Sequence, residues 1–137
     1  MVLAEILIEK HNLEKRMEQL GRYMHKMAYV SAEQTDKATK KLLDLMDKHR
    51  SHLIMINKVN NSTEIAIGDS KVSLANAILI AKTMERKVEL LDGLIDNCDG
   101  DSVLNIFSLT EQRDKLMEEC TLISNSIESL EWSVEVD

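Results

Sequence analysis

Two histidines on one predicted helix are the residues best placed to do chemistry. His49 and His52 lie one helical turn apart, so their rings share a face, and with two further ligands they could hold zinc or iron. Helical di-iron proteins also carry Glu-x-x-His on two helices, and this motif does not occur in the chain. We therefore expect no metal and no cofactor. A metal-binding helical bundle that uses His49 and His52 remains one alternative.

Other residues with reactive side chains do not form a recognisable site. Cys98 and Cys120 lie 22 positions apart without a CxxC motif, so we expect two reduced structural thiols. Four aspartates between positions 92 and 101 suggest a calcium loop, but a loop starting at Asp96 puts Gly100 at a ligand position. The scattered glycines cannot form a phosphate-binding loop. The sequence therefore predicts a protein that is not an enzyme.

Composition and apolar spacing predict long amphipathic helices. The chain has no proline and only four glycines among 137 residues, and both residues disfavour helix interiors. Apolar side chains recur at alternating spacings of three and four, which defines a heptad seam on each helix, with Lys10 and Arg113 as polar members. On the first two helices the seam comprises Leu3, Ile6, Leu13, Met17, Leu20, Met24, Met27, Ala38, Leu42, Leu45, His49, His52, Ile56 and Val59. On the last two it comprises Leu74, Ala77, Ala81, Met84, Val88, Leu91, Ile95, Leu109, Leu116, Cys120, Ile123, Ile127, Leu130 and Val134.

The ends of the helices can be predicted from capping residues. Ser31 and Ser73 are expected N-caps of the second and third helices, because a serine hydroxyl accepts from a free amide of the first turn. Ser108 or Thr110 is expected to cap the fourth. The predicted helices cover about residues 2–28, 32–60, 74–97 and 109–134. Met46 and Leu53 are expected to widen the apolar stripe of the second helix.

A short β-hairpin is predicted between the second and third helices, at about residues 63–73. The large apolar residues Ile65 and Ile67 stand at alternate positions, and a tight turn over residues 68–70 follows them. A further turn over residues 97–102 should end the third helix. Residues 103–107 should then form an extended or single-turn connector.

Charge and hydropathy limit the classes of partner. The formal charge of −7 argues against nucleic acid, because neutralising phosphates requires a surplus of Lys and Arg. Residues 111–137 carry eight acidic and two basic side chains, and residues 33–58 carry four acidic and six basic, so the two segments could attract each other. No apolar stretch approaches the roughly 20 residues that span a membrane, and the start does not read as a signal peptide. We expect a cytoplasmic protein without membrane contact.

Three segments carry a resemblance to a protein family. They are Leu3-Ala4-Glu5 followed by Leu13, Arg16 and Leu20; Ile56-Asn57-Lys58-Val59-Asn60 before the hairpin; and Trp132 near the C-terminus. In these the chain resembles the septicolysin-like family of short bacterial helical proteins. The resemblance implies a helical fold, and the family label implies a pore-forming or membrane-active protein.

Two asparagines within the second of these segments mark a candidate polar site. Asn57 and Asn60 lie one turn apart near the predicted end of the second helix, where their amides could cap free carbonyls or hold the hairpin. Alternatively they form a ligand site with Trp132 as its apolar wall. The two interpretations stay open.

The seams favour an interaction protein as the function. Four helices with one apolar stripe each must pack as a bundle or as coiled-coil hairpins. The chain has only four aromatic residues to fill a core. We therefore predict an all-α single domain over residues 1–137 that forms a homo-oligomer through its heptad seams. Its expected role is a non-catalytic scaffold or interaction module, with an unidentified protein as a further partner.

Overall fold

The computed structural model describes residues 1–98, 103 and 105–137 of the chain. In this part of the chain, four helices and one hairpin follow each other: α1 (Leu3–Met27), α2 (Ala32–Ser62), β1 (Glu64–Ile67), β2 (Ser70–Ser73), α3 (Leu74–Asp96) and α4 (Ile106–Glu131). The predicted all-α class, with a small hairpin between the second and third helices, is confirmed.

The chain divides into two compact units. Unit 1 comprises Met1–Val59 with Glu131–Asp137, and unit 2 comprises Asn60–Leu130. The heptad seams account for the interior of both units, since every seam residue is buried or half-buried, including Lys10 and Arg113. The single domain over residues 1–137 stays a prediction.

Unit 1 is built on the antiparallel pair α1 and α2. Contacts join Glu14 to His49 and Glu9 to His52, so the two helices run in opposite directions. Leu3 and Ile6 are fully buried, and burying such a side chain contributes about 1.5–3 kcal/mol. The other buried apolar residues of this unit are Ala4, Leu13, Ala38, Leu45 and Ile56.

The prediction that Met46 and Leu53 widen the inner stripe of α2 is wrong, because both side chains are exposed. Each follows an inner residue directly, and one residue corresponds to a rotation of about 100° around a helix. Leu43 and Ile54, on the outer side of α2, are exposed as well.

The end of the chain leaves the helix earlier than predicted. α4 ends at Glu131 instead of Val134, since residues 134–136 pair with the first residues of the chain in backbone hydrogen bonds. The Leu3 amide donates to the Val134 carbonyl at 2.9 Å, and the Val136 amide donates to the Met1 carbonyl at 3.0 Å. These bonds satisfy a first-turn amide of α1 that has no partner within the helix.

Unit 2 contains the hairpin and α3. Ile67 pairs with Ser70, which leaves a two-residue turn, and Gly68 has φ +58°. A positive φ at the first turn residue is typical of a type II′ turn and favours glycine there. The Leu74 amide donates to the Thr63 carbonyl at 2.8 Å, so the hairpin leads directly into the start of α3. The buried residues of this unit are Ile65, Leu74, Ala77, Ala81, Ile123 and Ile127.

Two of the predicted caps are confirmed and one is wrong. The Ser31 hydroxyl accepts from the Gln34 amide at 3.2 Å, and the Ser73 hydroxyl accepts from the Asn76 amide at 3.1 Å. α4 begins at Ile106 rather than near residue 109, because the Asn105 side chain accepts from the Ser108 amide at 3.1 Å. Asparagine is among the strongest N-cap residues. Ile106 and Phe107 of the predicted extended or single-turn connector therefore belong to the first turn of α4.

Several predicted features fall on residues outside the described part of the chain. These residues are 99–102 and 104. They include most of the predicted turn over residues 97–102, two of the four clustered aspartates, and Leu104 of the predicted connector.

Candidate functional site: the groove between the first two helices

A groove of about 740 Å³ lies between the second half of α1 and the first half of α2. Leu20 and Ala38, both seam residues, lie in its lining beside Tyr23. The seam of α1 is buried at Leu3, Ile6 and Leu13 but only half-buried from Met17 to Met27, so it is partly open along this half. The volume falls within the roughly 300–1,000 Å³ of clefts that bind ligands.

The groove is positively charged although the whole chain is acidic. Arg16, Lys37, Lys40 and Lys41 line it together with a single acidic residue, Asp44, which gives a net charge of +3 in a chain of −7. Lys37 also forms an ion pair with Glu33 on the same helix at 3.2 Å. Because all four cationic side chains are exposed, the groove can attract an anionic surface from solution.

The predicted metal ligand His52 lies on α2 beyond the Asp44 end of this groove, in contact with Glu9 of α1. Its Nε2 lies 2.8 Å from Glu9 Oε2, and its Nδ1 lies 2.9 Å from the Lys48 carbonyl oxygen. Both partners can only accept, so both ring nitrogens must donate, and only the imidazolium does this. The hydrogen bond to Glu9, followed by the bond to the Lys48 carbonyl, raises the pKa of His52 above its ordinary value of 6.5.

The second predicted ligand, His49, also contacts a carboxylate of α1. Its Nε2 lies 3.1 Å from Glu14 Oε1, and Lys10 Nζ lies 3.3 Å from the same oxygen. The hydrogen bond with His49, and then Lys10, lower the pKa of Glu14 below its ordinary value of 4.5. The structure thus brings His49 and His52 to one face, as predicted from their spacing, but directs each ring at a glutamate.

The surroundings of these histidines do not form a metal centre. Within the described residues, no group of three or more His, Cys, Asp or Glu side chains is placed to hold a metal ion. A recess of about 250 Å³ beside His52 is lined by Glu9, Leu13, Arg16 and Lys48. Arg16 also lines the larger groove, so the two depressions adjoin along the helix pair.

The residues of the predicted polar site lie on two elements. Asn57 is exposed and Asn60 is half-buried, and both precede the end of α2, which continues to Ser62. Trp132 directly follows α4 and is exposed. A ligand site formed by Asn57, Asn60 and Trp132 stays a prediction.

All four aromatic residues of the chain are on the surface. The exposed fractions are 42% for Tyr23, 96% for Tyr29, 89% for Phe107 and 53% for Trp132. These exposures were not predicted, although none of the four residues occupies a seam position, which was visible in the sequence. Aromatic side chains usually supply much of a protein's buried area, so their placement outside the core is informative about function.

Unit 2 contains the remaining polar groups that the sequence analysis singled out. Arg113 donates from Nη1 to Asp92 at 3.0 Å and from Nη2 to Asp114 at 3.1 Å, and these bonds, that to Asp92 first, raise its pKa. Cys120 Sγ lies 3.7 Å from the Ala81 carbonyl oxygen. These contacts join α3 to α4.

Comparison with known proteins shows the fold. No family model matches the sequence, and no curated protein sequence matches it either. The crystal structure of a functionally unknown conserved protein from Corynebacterium diphtheriae is similar, with a TM-score of 0.89 and 21% identity over 100% of this chain and 99% of that one. At this identity the similarity supports the architecture alone.

Within the described residues, no helix combines the length and the apolar character required to cross a bilayer.

Proposed function

We propose that this chain is a non-catalytic helical module that binds protein partners in the cytoplasm and associates with further copies of itself. The main observation that supports this proposal is the exposure of all four aromatic side chains. Tyrosine, tryptophan and arginine are enriched at the energetic centres of protein interfaces, because they combine a large apolar area with a polar group. A fully buried aromatic side chain removes about 150–250 Å² from water, so covering these residues would be strongly favourable.

The open half of the α1–α2 seam is the surface best suited to self-association. The other half of this seam is already covered within unit 1, where Leu3, Ile6 and Leu13 are buried. The open half offers Leu20, Tyr23 and Ala38 beside four cationic side chains. An apolar centre with a polar rim is the usual arrangement of a protein interface.

Exposed apolar side chains of α2 support the same proposal. Leu43 and Ile54 lie on the side of α2 turned away from its buried residues, and Met46 and Leu53 are exposed nearer to its inner side. Methionine and leucine adapt readily to a partner surface, since their side chains have several accessible rotamers. These side chains give the module further apolar contact area outside the groove.

Replacing the two exposed tyrosines tests the proposal. Tyr23→Ser combined with Tyr29→Ser should lower the mass measured by light scattering towards that of a single chain, at a micromolar concentration where the unchanged protein is associated. The matched control is Leu90→Ser, which removes an exposed apolar side chain from α3 and should leave the mass unchanged.

Circular dichroism of each variant should show unchanged helix content, because neither tyrosine is part of the core. If the unchanged protein is associated and the tyrosine variant keeps its mass, these residues do not form the interface. If the unchanged protein has the mass of one chain at every concentration, the proposal of self-association is wrong.

A further inference from the structure

We infer that the groove between α1 and α2 binds the acidic outer face of α4 from a second copy of this chain. The inference rests on the proposed self-association and specifies which surfaces meet. Three properties of the described residues support it. The groove and α4 have opposite charges, the two surfaces have similar lengths, and the acidic face of α4 includes an exposed apolar residue.

Charge complementarity is the first property. The groove carries a net charge of +3 from Arg16, Lys37, Lys40, Lys41 and Asp44. The residues of α4 include six carboxylates and two basic side chains, a net charge of −4. Arg113 is bonded to Asp92 and to Asp114, so the charge of Asp114 is partly balanced within α4. The other basic residue, Lys115, is exposed on the same side as Glu111 and Glu118, and the carboxylates remain in excess on that side.

The spacing of the acidic residues places them on one face of α4. Glu111, Asp114, Glu118 and Leu122 follow each other at intervals of three, four and four residues, which is the period of a single helical face. All four side chains are exposed, and the buried residues Ile123 and Ile127 lie on another side of the helix. Leu122 therefore provides an apolar contact at one end of an acidic row.

The lengths of the two surfaces agree. The α2 lining extends from Gln34 to Asp44, which is about 15 Å along a helix, and Glu111 to Leu122 extends over about 16 Å. When Leu122 lies beside Leu20 and Ala38, Glu118 lies about 6 Å further along α4, which is comparable with the distance of about 5 Å along α2 from Ala38 to Lys41. A helix in an apolar groove with a charged rim is a common mode of recognition.

Each copy carries both the groove and the acidic helix, so the same type of contact is available to every copy.

A charge swap tests this contact. The groove variant carries Lys40→Glu and Lys41→Glu, and it keeps the ion pair between Lys37 and Glu33. The α4 variant carries Glu111→Lys and Glu118→Lys. The groove variant has −1 in the groove against −4 on α4, and the α4 variant has 0 on α4 against +3 in the groove, so neither variant alone keeps the attraction. In a mixed pair the unchanged groove of one variant meets the unchanged α4 of the other, which restores a contact of +3 with −4.

Sedimentation velocity of each variant and of their equimolar mixture is the measurement. Each variant alone should associate about tenfold more weakly than the unchanged chain, and the mixture should regain a dimer containing both variants. The control variant Lys82→Glu with Lys87→Glu changes the same number of charges on exposed positions of α3 and should associate normally. Circular dichroism checks that every variant is folded.

The results distinguish a failure of this inference from a failure of the proposed self-association. If the unchanged chain does not associate, the proposed function fails. If the unchanged chain associates and the two charge variants associate equally well, α4 is not the occupant of the groove. If each variant is weakened but their mixture is not restored, the lysines and glutamates do not contact each other, and the inference is wrong.

Discussion

The contact between Glu9 and His52 should stabilise the protein in a pH-dependent way. Glu9→Gln and His52→Gln each remove one partner of the contact between α1 and α2, and the double variant completes a thermodynamic cycle. The pKa of His52 is raised in the folded chain, so folding favours its protonated form. The contribution is therefore complete below the ordinary value of 6.5 and is lost as the pH rises through the higher pKa of the folded state.

The expected coupling free energy follows from the exposure of the two side chains. Glu9 is 47% exposed and His52 only 12%, with 2.8 Å between Nε2 and Oε2. Exposed ion pairs contribute about 0.2–1 kcal/mol, and the shielding of His52 places this pair at about 1 kcal/mol. For a chain of this length, a change of that size lowers the melting temperature by about 4 °C.

Urea unfolding of the four proteins at about pH 5.5 and about pH 8.5, on either side of the ordinary histidine pKa, measures the coupling. The lower pH is still above 4.5, the ordinary pKa of Glu14, and the pKa of Glu14 is lowered in the folded chain. Glu14 therefore stays ionised at both pH values, and its contribution to stability does not change between them. The coupling should be about 1 kcal/mol at the lower pH and close to zero at the higher one. His11→Gln, at an exposed position of α1, is the control. Equal coupling at both pH values would refute the assignment of His52 as an imidazolium.

Three substitutions test the packing and the local structure by urea unfolding. Leu74→Ala removes a side chain with 0% exposure and should lower the free energy of unfolding by about 3–5 kcal/mol. Leu79→Ala, on the exposed side of α3, should lower it by less than about 0.5 kcal/mol. Equal losses would contradict the assigned core. Gly68→Ala places a Cβ at φ +58° and should lower the free energy of unfolding by about 1 kcal/mol, and Gly68→Asn should lower it less. An unchanged free energy of unfolding for Gly68→Ala would argue against this turn. Ser73→Ala should lower the free energy of unfolding by about 1 kcal/mol, whereas Ser73→Asp should leave it almost unchanged because aspartate also caps a helix. Equal losses from the two substitutions would exclude the capping role of Ser73.

Much of the fold could be predicted because apolar spacing and capping residues act locally. The three-four spacing of residues such as Leu3, Leu45 and Ile123 identified the interior side of each helix, and the serine caps identified two helix starts. The start of α4 was missed because Ser108 and Thr110 compete with Asn105 for the same role, and only the hydrogen bond to the Ser108 amide decides between them. The end of α4 depended on backbone bonds to the start of the chain, which no local pattern encodes.

The site could be predicted only in part. The spacing of His49 and His52 placed them on one face, but their partners Glu9 and Glu14 lie about 40 positions away, so their contacts depend on how α1 and α2 align. The charge difference between segments was visible in the sequence. The groove itself was not, because it arises where the seam of α1 is only half covered, near Leu20.

Self-association is the central claim, and sedimentation equilibrium of the unchanged protein over a concentration series measures it most directly. The account predicts that the weight-average mass rises with concentration from that of a single chain, 15.6 kDa, towards twice that value or more. Raising the salt concentration should weaken this association, because the groove and α4 carry opposite charges. A mass that stays at 15.6 kDa throughout the series would contradict the account.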